Sequence, residues 1–250
     1  MFRSSSDWVI DAYSRLLHNY PQLPIPGRNS LVPVRLASMT RPVYVRLGTS
    51  DSAILSEIAE NDEYGWVLPQ IQGSVRCVID LGGNFSMSMR FWYENIPDLQ
   101  AVLVVEPDAD NMRAIRRNSE GLTPRPIVVE ACIAAWNRPI SLRRGRATSG
   151  FEMQEASSHE SIDTLTMAEL LELRPGDFDI DLLKCDIEGT EKELFAQCGE
   201  WIGMVRNMVV EVHGTYSVSD LRDDLKRSNA RFKRAVESPH RRGVVGFFER

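Results

Sequence analysis

From residue 75 to residue 214, short apolar and β-branched runs alternate with helical patterns, and most runs end on an acidic or glycine-bearing turn. The first unit constrains the fold most. Val75, Cys77, Val78 and Ile79 lead to Asp80. The turn Leu81-Gly82-Gly83-Asn84 follows, and Phe85, Met89, Trp92 and Ile96 then recur at the period of one buried helix face. Strand, glycine turn and helix in that order present backbone N–H groups at the carboxyl end of a strand, where nucleotide-like cofactors bind. A second strand over 101–105 ends at Glu106-Pro107 and precedes a helix over 108–118; a third covers 127–131. After a helix over 167–173, stopped by Pro175-Gly176, a strand over 180–184 runs into Cys185-Asp186-Ile187-Glu188-Gly189 and a helix over 190–198. A strand over 204–212 ends at His213-Gly214, and Ser217 opens a helix with Asp220 at capping-box spacing. Runs over 231–236 and 244–248 read as an antiparallel hairpin. This order predicts an α/β chain with an open, mainly parallel sheet and helices on both faces.

The N-terminal quarter reads differently. Residues 1–20 form one amphipathic pattern, with Asp7 as cap and Ile10, Tyr13 and Leu17 as its apolar stripe. Pro21, Pro24, Pro26 and Gly27 then break regular structure. Extended pieces over 31–47 carry Pro33 and Pro42, which suits edge strands, and a short helix over 52–60 follows Thr49-Ser50-Asp51. The chain therefore divides into a helical and extended cap segment, 1–70, and a cofactor-binding domain, 71–250. The cap is a lid or a homo-oligomer surface. Residues 136–165, rich in Ser, Arg and Gly, are expected to form a hairpin or a mobile loop over the sheet.

With 43% hydrophobic and 26% charged residues, the 250-residue chain has material for one sizeable core. Its net charge of −6 gives no global field favouring nucleic acid or anionic lipid. Cys77, Cys132, Cys185 and Cys198 show no metal-ligand spacing and read as reduced core residues. No stretch approaches the roughly 18 apolar residues of a membrane span, and the N-terminus lacks an apolar signal core, so a cytoplasmic protein is expected.

Asp80, Glu106 and Asp186 each stand where a predicted strand ends. A carboxylate at Glu106 has the placement of one that accepts both ribose hydroxyls of an adenosine. A dinucleotide fingerprint needs a third glycine, and this turn has none. Asp80 would repel a diphosphate but suits a cationic sulfonium or its α-amino group. The cofactor these features select is S-adenosylmethionine. The alternative, an NAD(P)-dependent oxidoreductase, lacks both the glycine and a Tyr/Lys or Ser/Tyr catalytic pair.

The same residues resemble the FkbM family of S-adenosylmethionine-dependent methyltransferases. Val78-Ile79-Asp80-Leu81-Gly82-Gly83-Asn84 is similar to its first motif, D-x-G-A-N-x-G, and Val105-Glu106-Pro107-Asp108 to its E-P motif. The stretch 181–191, D-L-L-K-C-D-I-E-G-T-E, is close to its diagnostic L-L-K-x-D-x-E-G-x-E, and Glu211-Val212-His213 resembles the E-x-H that follows. Gly83 departs from the family's usual Ala and Ser86 from its usual Gly, although serine at a helix start is a good N-cap. The resemblance implies a Rossmann-like class I methyltransferase fold with a seven-stranded sheet. It implies a cofactor site from Asp80, Gly82, Gly83, Asn84, Phe85, Ser86, Glu106, Pro107, Ala131 and Asp186. The reaction it implies is methyl transfer to a hydroxyl of a sugar, glycan or natural-product small molecule.

Asp186 and His213, at adjacent strand ends, are the candidates for removing the hydroxyl proton. Lys184 is read as a salt-bridge partner for the acidic cluster, and Glu188 and Glu191 as first-turn acids. The D-x-E spacing of Asp186 and Glu188 is too common to mark a metal site, so no metal is expected. A nucleic-acid acceptor is disfavoured, because Asp186-Ile187-Glu188-Gly189 stands where an Asn/Asp-Pro-Pro-aromatic motif belongs. A non-catalytic cofactor-binding relative is the remaining alternative.

Overall fold

The computed structural model describes residues 2–22, 26–136, 140–144, 151–155 and 162–249. The N-terminal segment holds α1 (Ser5–Asn19), β1 (Leu31–Val34), β2 (Val43–Arg46) and α2 (Asp51–Ala59). The alternating part begins with β3 (Cys77–Leu81), α3 (Met87–Asn95), β4 (Ala101–Val105), α4 (Ala109–Asn118) and β5 (Ile127–Val129). Short strands β6 (Cys132–Ile133), β7 (Ile140–Arg144), β8 (Phe151–Glu155) and β9 (Thr164–Leu165) come next. Then follow α5 (Met167–Glu172), β10 (Leu182–Cys185), α6 (Glu191–Ala196), β11 (Met208–Glu211), α7 (Val218–Arg227), β12 (Arg234–Glu237) and β13 (Val244–Phe248).

Seven strands form one sheet in the order β12-β13-β11-β10-β3-β4-β5. Strands β11, β10, β3, β4 and β5 pair in parallel, and β13 runs antiparallel to both β11 and β12. This is the Rossmann-like, seven-stranded α/β arrangement with a C-terminal antiparallel hairpin. The chain leaves β3 toward β4 and later returns to β10 on the other side. The crevice at the carboxyl ends of β3 and β10 is therefore the topological switch point, the preferred ligand site of such sheets.

Strand alternation sends Ile79, Leu81, Leu103, Val105, Leu183 and Cys185 to a face covered by α5, α6 and α7. Val78, Leu182 and Val209 face the other way, into a core shared with Leu36, Val45, Leu55 and Ile58 of the N-terminal segment. The predicted α3 stripe is buried in full: Phe85, Met89, Trp92 and Ile96 have at most 6% exposure. Thus the N-terminal segment and the sheet share one apolar layer.

Local details differ from the sequence expectations. Ser4, not Asp7, caps α1: its Oγ accepts the Asp7 N–H, while the Asp7 carboxylate accepts the Arg35 N–H at 3.0 Å. Of the α1 stripe Leu17 is fully buried and Ile10 and Tyr13 half-buried, and Trp8, Val9, Leu16 and Tyr20 stand exposed. The extended pieces pair with each other as a separate antiparallel ribbon, β1 with β2, so each is an edge and Pro33 is tolerated. In the 136–165 stretch β7 and β8 form an antiparallel pair. Residues 137–139, 145–150 and 156–161 of that stretch, His159 among them, lie outside the described residues.

Candidate active site

The glycine turn after β3 is built by close backbone approach. Gly82 and Gly83 both donate their N–H to the Val105 carbonyl, at 2.9 and 3.0 Å, which ties the turn to the end of β4. Gly82 has φ +77, and a Cβ there would lie 1.8 Å from the Asp186 carbonyl oxygen. No side chain fits. At Gly83 a Cβ would meet Val104 Cγ1 at 2.3 Å, so this chain fills with Val104 the space that an alanine would take. Asn84, at φ +46, donates its N–H to Glu106 Oε2 at 2.8 Å, and its own Oδ1 accepts the Phe85 N–H at 2.8 Å. Ser86 occupies the N-cap position of α3 at φ +81 but makes no cap bond; its hydroxyl turns back to the Phe85 carbonyl. The helix start survives, by a left-handed residue rather than by a serine cap.

A cleft of about 630 Å³ opens over the carboxyl ends of β3 and β4. Glu106 stands in it, accepting the N–H groups of Asn84 and Asp108 and the Asn111 amide at 2.8–2.9 Å. Burial pushes its carboxyl up to about 7, against the opposing pull of those donors. Pro107, Ala131, Cys132 and Ile133 supply an apolar wall, and Gly82, Asn84 and Asp186 close the opposite side. Burial also pushes the Cys132 thiol up to about 12, which leaves it an inert wall group. The donor set suits S-adenosylmethionine: an apolar slot for adenine, a carboxylate for ribose hydroxyls and Asp186 toward a cationic end. Gly82 keeps the turn clear of side chains.

A second cleft, of about 830 Å³, lies between the sheet and the N-terminal segment. Glu57, Ile58, Glu63 and Tyr64 come from that segment, Arg241 from the loop between β12 and β13. Gly82, Asn84, Asp186 and Glu188 line both clefts. These residues form the partition where the two sites meet.

Below the partition the strand register sets Lys184 opposite Asp80. Asp80 is 0% and Lys184 3% exposed, and the two form an ion pair at 3.1 Å. Ser88 donates to Asp80 at 2.6 Å, and Lys184 also donates to the Leu81 and Gly82 carbonyls. Burial works against the Lys184 charge, but Asp80 and Asp186 outweigh it and hold the ammonium above its ordinary range.

His213 follows β11 and faces a ring of carboxylates. Its Nδ1 lies 2.9 Å from Glu191 Oε1; its Nε2 lies 3.6 Å from Asp186, 3.6 Å from Glu188 and 3.5 Å from Glu211. Burial lowers its basicity, yet Glu191, Glu211 and Asp186 dominate and push it up to about 10. At neutral pH it is an imidazolium with no lone pair for proton abstraction. Glu188, at φ +58, is pushed up to about 7 by burial and by the Asp186 charge.

Of the residues expected to hold cofactor, Gly82, Asn84, Glu106, Pro107, Ala131 and Asp186 line the first cleft. Gly83 reaches only the second cleft. Asp80, Phe85 and Ser86 are fully buried beneath the turn and line neither. Asp186 and His213 are brought together. Asn111, Cys132, Ile133 and Arg241 join the site without a motif to announce them. Only for Asn111 was there a usable signal, its place one helical turn beyond the cap residue Asp108.

A family profile described as the methyltransferase FkbM domain matches residues 80–232. No curated protein sequence matches the chain significantly. An FkbM methyltransferase structure from Methylobacillus flagellatus KT is similar at TM-score 0.54 and 14% identity; the match covers 78% of this chain and 47% of that one. A METTL16 methyltransferase-domain structure is similar at TM-score 0.50 and 15% identity, over 76% of this chain and 68% of that one. This chain thus spans about half the length of the FkbM structure that it resembles. The profile match extends from the end of β3 to just short of β12 and takes in the glycine turn, Glu106, Asp186 and His213. The chain belongs to the FkbM methyltransferase domain family.

Proposed function

We propose that the chain is an S-adenosylmethionine-dependent O-methyltransferase acting on a hydroxyl of a sugar, glycan or natural-product small molecule, in the cytoplasm. The observation that carries this reading is the shared partition. One cleft has the donor set for S-adenosylmethionine, the other is roofed by residues 1–70, and Asp186 stands between them. S-adenosylmethionine, when bound, supplies an electrophilic methyl group. The chain's own task is to hold the acceptor oxygen in line with that methyl and remove its proton. Asp186 is the proton acceptor in this reading, with Lys184 at 3.8 Å and the His213 imidazolium at 3.6 Å as its cationic neighbours.

The acceptor cleft also speaks for a neutral polyol. Its cations are engaged: Lys184 with Asp80, and Arg241 with Glu63 and Glu211 at 2.7 and 2.9 Å. Glu57, Asp186 and Glu188 leave it acidic, which repels the phosphates of a nucleic acid. Among the described residues no helix is long and apolar enough to cross a membrane.

Calorimetric titration with S-adenosylmethionine and, separately, NADH tests the cofactor. Binding of the first alone is expected; binding of NADH alone overturns the reading. Release of S-adenosylhomocysteine over a panel of sugars and polyhydroxylated small molecules then tests the acceptor class. For an acceptor found in this way, Asp186→Asn should lower kcat by at least about a hundredfold, while cofactor affinity stays within about twofold. A wild-type rate in that variant removes Asp186 as the base.

A further inference from the structure

The ring around His213 has a property that the methyl-transfer reading does not use. Asp186, Glu211 and His213 each offer a ligand atom, and these atoms all lie within 4.8 Å of one another. Two strand ends supply them: β10 runs into Asp186 and β11 into Glu211 and His213, in adjacent parallel strands.

Two observations point to an occupant. The imidazole is oriented from behind. Glu191, fully buried, spends its oxygens on the Ile187 and Gly189 N–H groups and on His213 Nδ1. That bond fixes the ring so that Nε2 faces the carboxylates, as a second-sphere carboxylate does for a metal-bound histidine. Nε2 then stops 3.5–3.6 Å short of three carboxylates. Asp186 Oδ1, one of those oxygens, is itself shielded from solvent, although its side chain is 26% exposed, and has no hydrogen-bond partner among the described residues. The local charge is also unbalanced. Among the described residues, Asp80, Asp186, Glu57, Glu63 and Glu211 share the cations of Lys184, Arg241 and His213, and Glu188 pairs only with His213. The His213 imidazolium offsets one of these charges, and the half-buried remainder is offset by protonation or by a bound cation.

We propose that Asp186, Glu211 and His213 form a divalent-cation site at the partition between the two clefts, with Glu188 at its rim. Two carboxylates and one imidazole give an oxygen-rich set suited to Mn²⁺ or Mg²⁺, with open positions left for water or an acceptor hydroxyl. The cation takes the place of the proton on Nε2. Asp186 contributes Oδ1, and its Oδ2, beside Lys184, stays free for the acceptor. The spacing of these residues in the sequence conceals the site, because Glu211 and His213 arrive from the strand next to the one that ends at Asp186.

Titration of the 250-residue chain with MnCl₂, followed by calorimetry, tests binding without any acceptor or cofactor. One saturable site is expected. Glu211→Gln and His213→Gln should each weaken it at least tenfold, and Glu57→Gln, in the same cleft but outside the ring, should change it less than twofold. Pulsed electron paramagnetic resonance of bound Mn²⁺ in the unaltered protein should show modulation from a directly coordinated nitrogen, a readout that does not depend on how the variants fold. Absence of saturable binding, or bound Mn²⁺ without a coordinated nitrogen, overturns the proposal and leaves the imidazolium as the resident cation. Neither result bears on whether the chain binds S-adenosylmethionine.

Discussion

Glu106 shows how one side chain can serve a fold and a site at once. Three N–H donors converge on its carboxylate and hold the glycine turn against α4, yet burial still places its titration at about 7. A folded carboxyl that titrates above its unfolded value takes up a proton on folding. Its contribution is complete below about pH 4.5 and is lost as pH rises through about 7, a difference of a few kcal/mol at most. Urea unfolding at pH 5 and pH 8 should register that fall, and Glu106→Gln should flatten it whatever its effect on absolute stability. Lys184 makes a different demand. Its ammonium is sealed against Asp80 with almost no water access. Lys184→Met leaves that carboxylate without its cation and should cost about 3–5 kcal/mol in urea unfolding. Adding Asp80→Asn should recover most of the loss, because the uncompensated charge, not the missing contact, is what destabilises.

At the scale of elements, the glycine turn depends on the strand beside it. Gly83 has an ordinary φ, so an alanine there costs nothing in backbone conformation; the obstacle is Val104 Cγ1 at 2.3 Å. Gly83→Ala should therefore destabilise the protein, and Val104→Ala in the same chain should restore it. A double-mutant cycle should return a coupling of about 1 kcal/mol or more. Nothing in the sequence announces this exchange, because Gly83 sits in the turn after β3 and Val104 on the neighbouring strand β4. What could be read was most of what local pattern carries, although the caps at Asp7 and Ser86 were not among it. The strands ending at Asp80, Glu106 and Asp186, the buried face Phe85–Met89–Trp92–Ile96 and the Ser217–Asp220 capping box all occur as expected. Of the contacts between distant segments, the salt bridge of Lys184 with the acidic cluster was legible and most others were not. Asp80 stands at a strand end, as its position implied, but alternation turns it toward Lys184 and beneath the turn. His213 has the placement of a base, but carboxylates from β10, α6 and β11 convert it to an imidazolium.

The whole molecule is closed around the site by Arg241. Its guanidinium leaves the loop between β12 and β13, binds Glu63 of the N-terminal segment at 2.7 Å and Glu211 at the end of β11 at 2.9 Å, and approaches Glu57 to 3.8 Å. One side chain thus joins the first part of the chain, the central sheet and the C-terminal hairpin at the second cleft. Glu63 is buried, and burial pushes its carboxyl up even with Arg241 beside it. The core shared by Val45, Leu55 and Ile58 with Val78 and Leu182 holds the N-terminal segment in place regardless. Because Arg241 is 42% exposed, its ion pairs are screened, and Arg241→Ala should cost only about 1 kcal/mol of global stability. Its effect should be local. Hydrogen exchange should quicken in α2 and in residues 60–67, while β3, β4 and β10 keep the protection of the unaltered protein. Equal acceleration across the sheet would show instead that the clasp supports the entire fold, and that residues 1–70 cannot loosen over the second cleft independently.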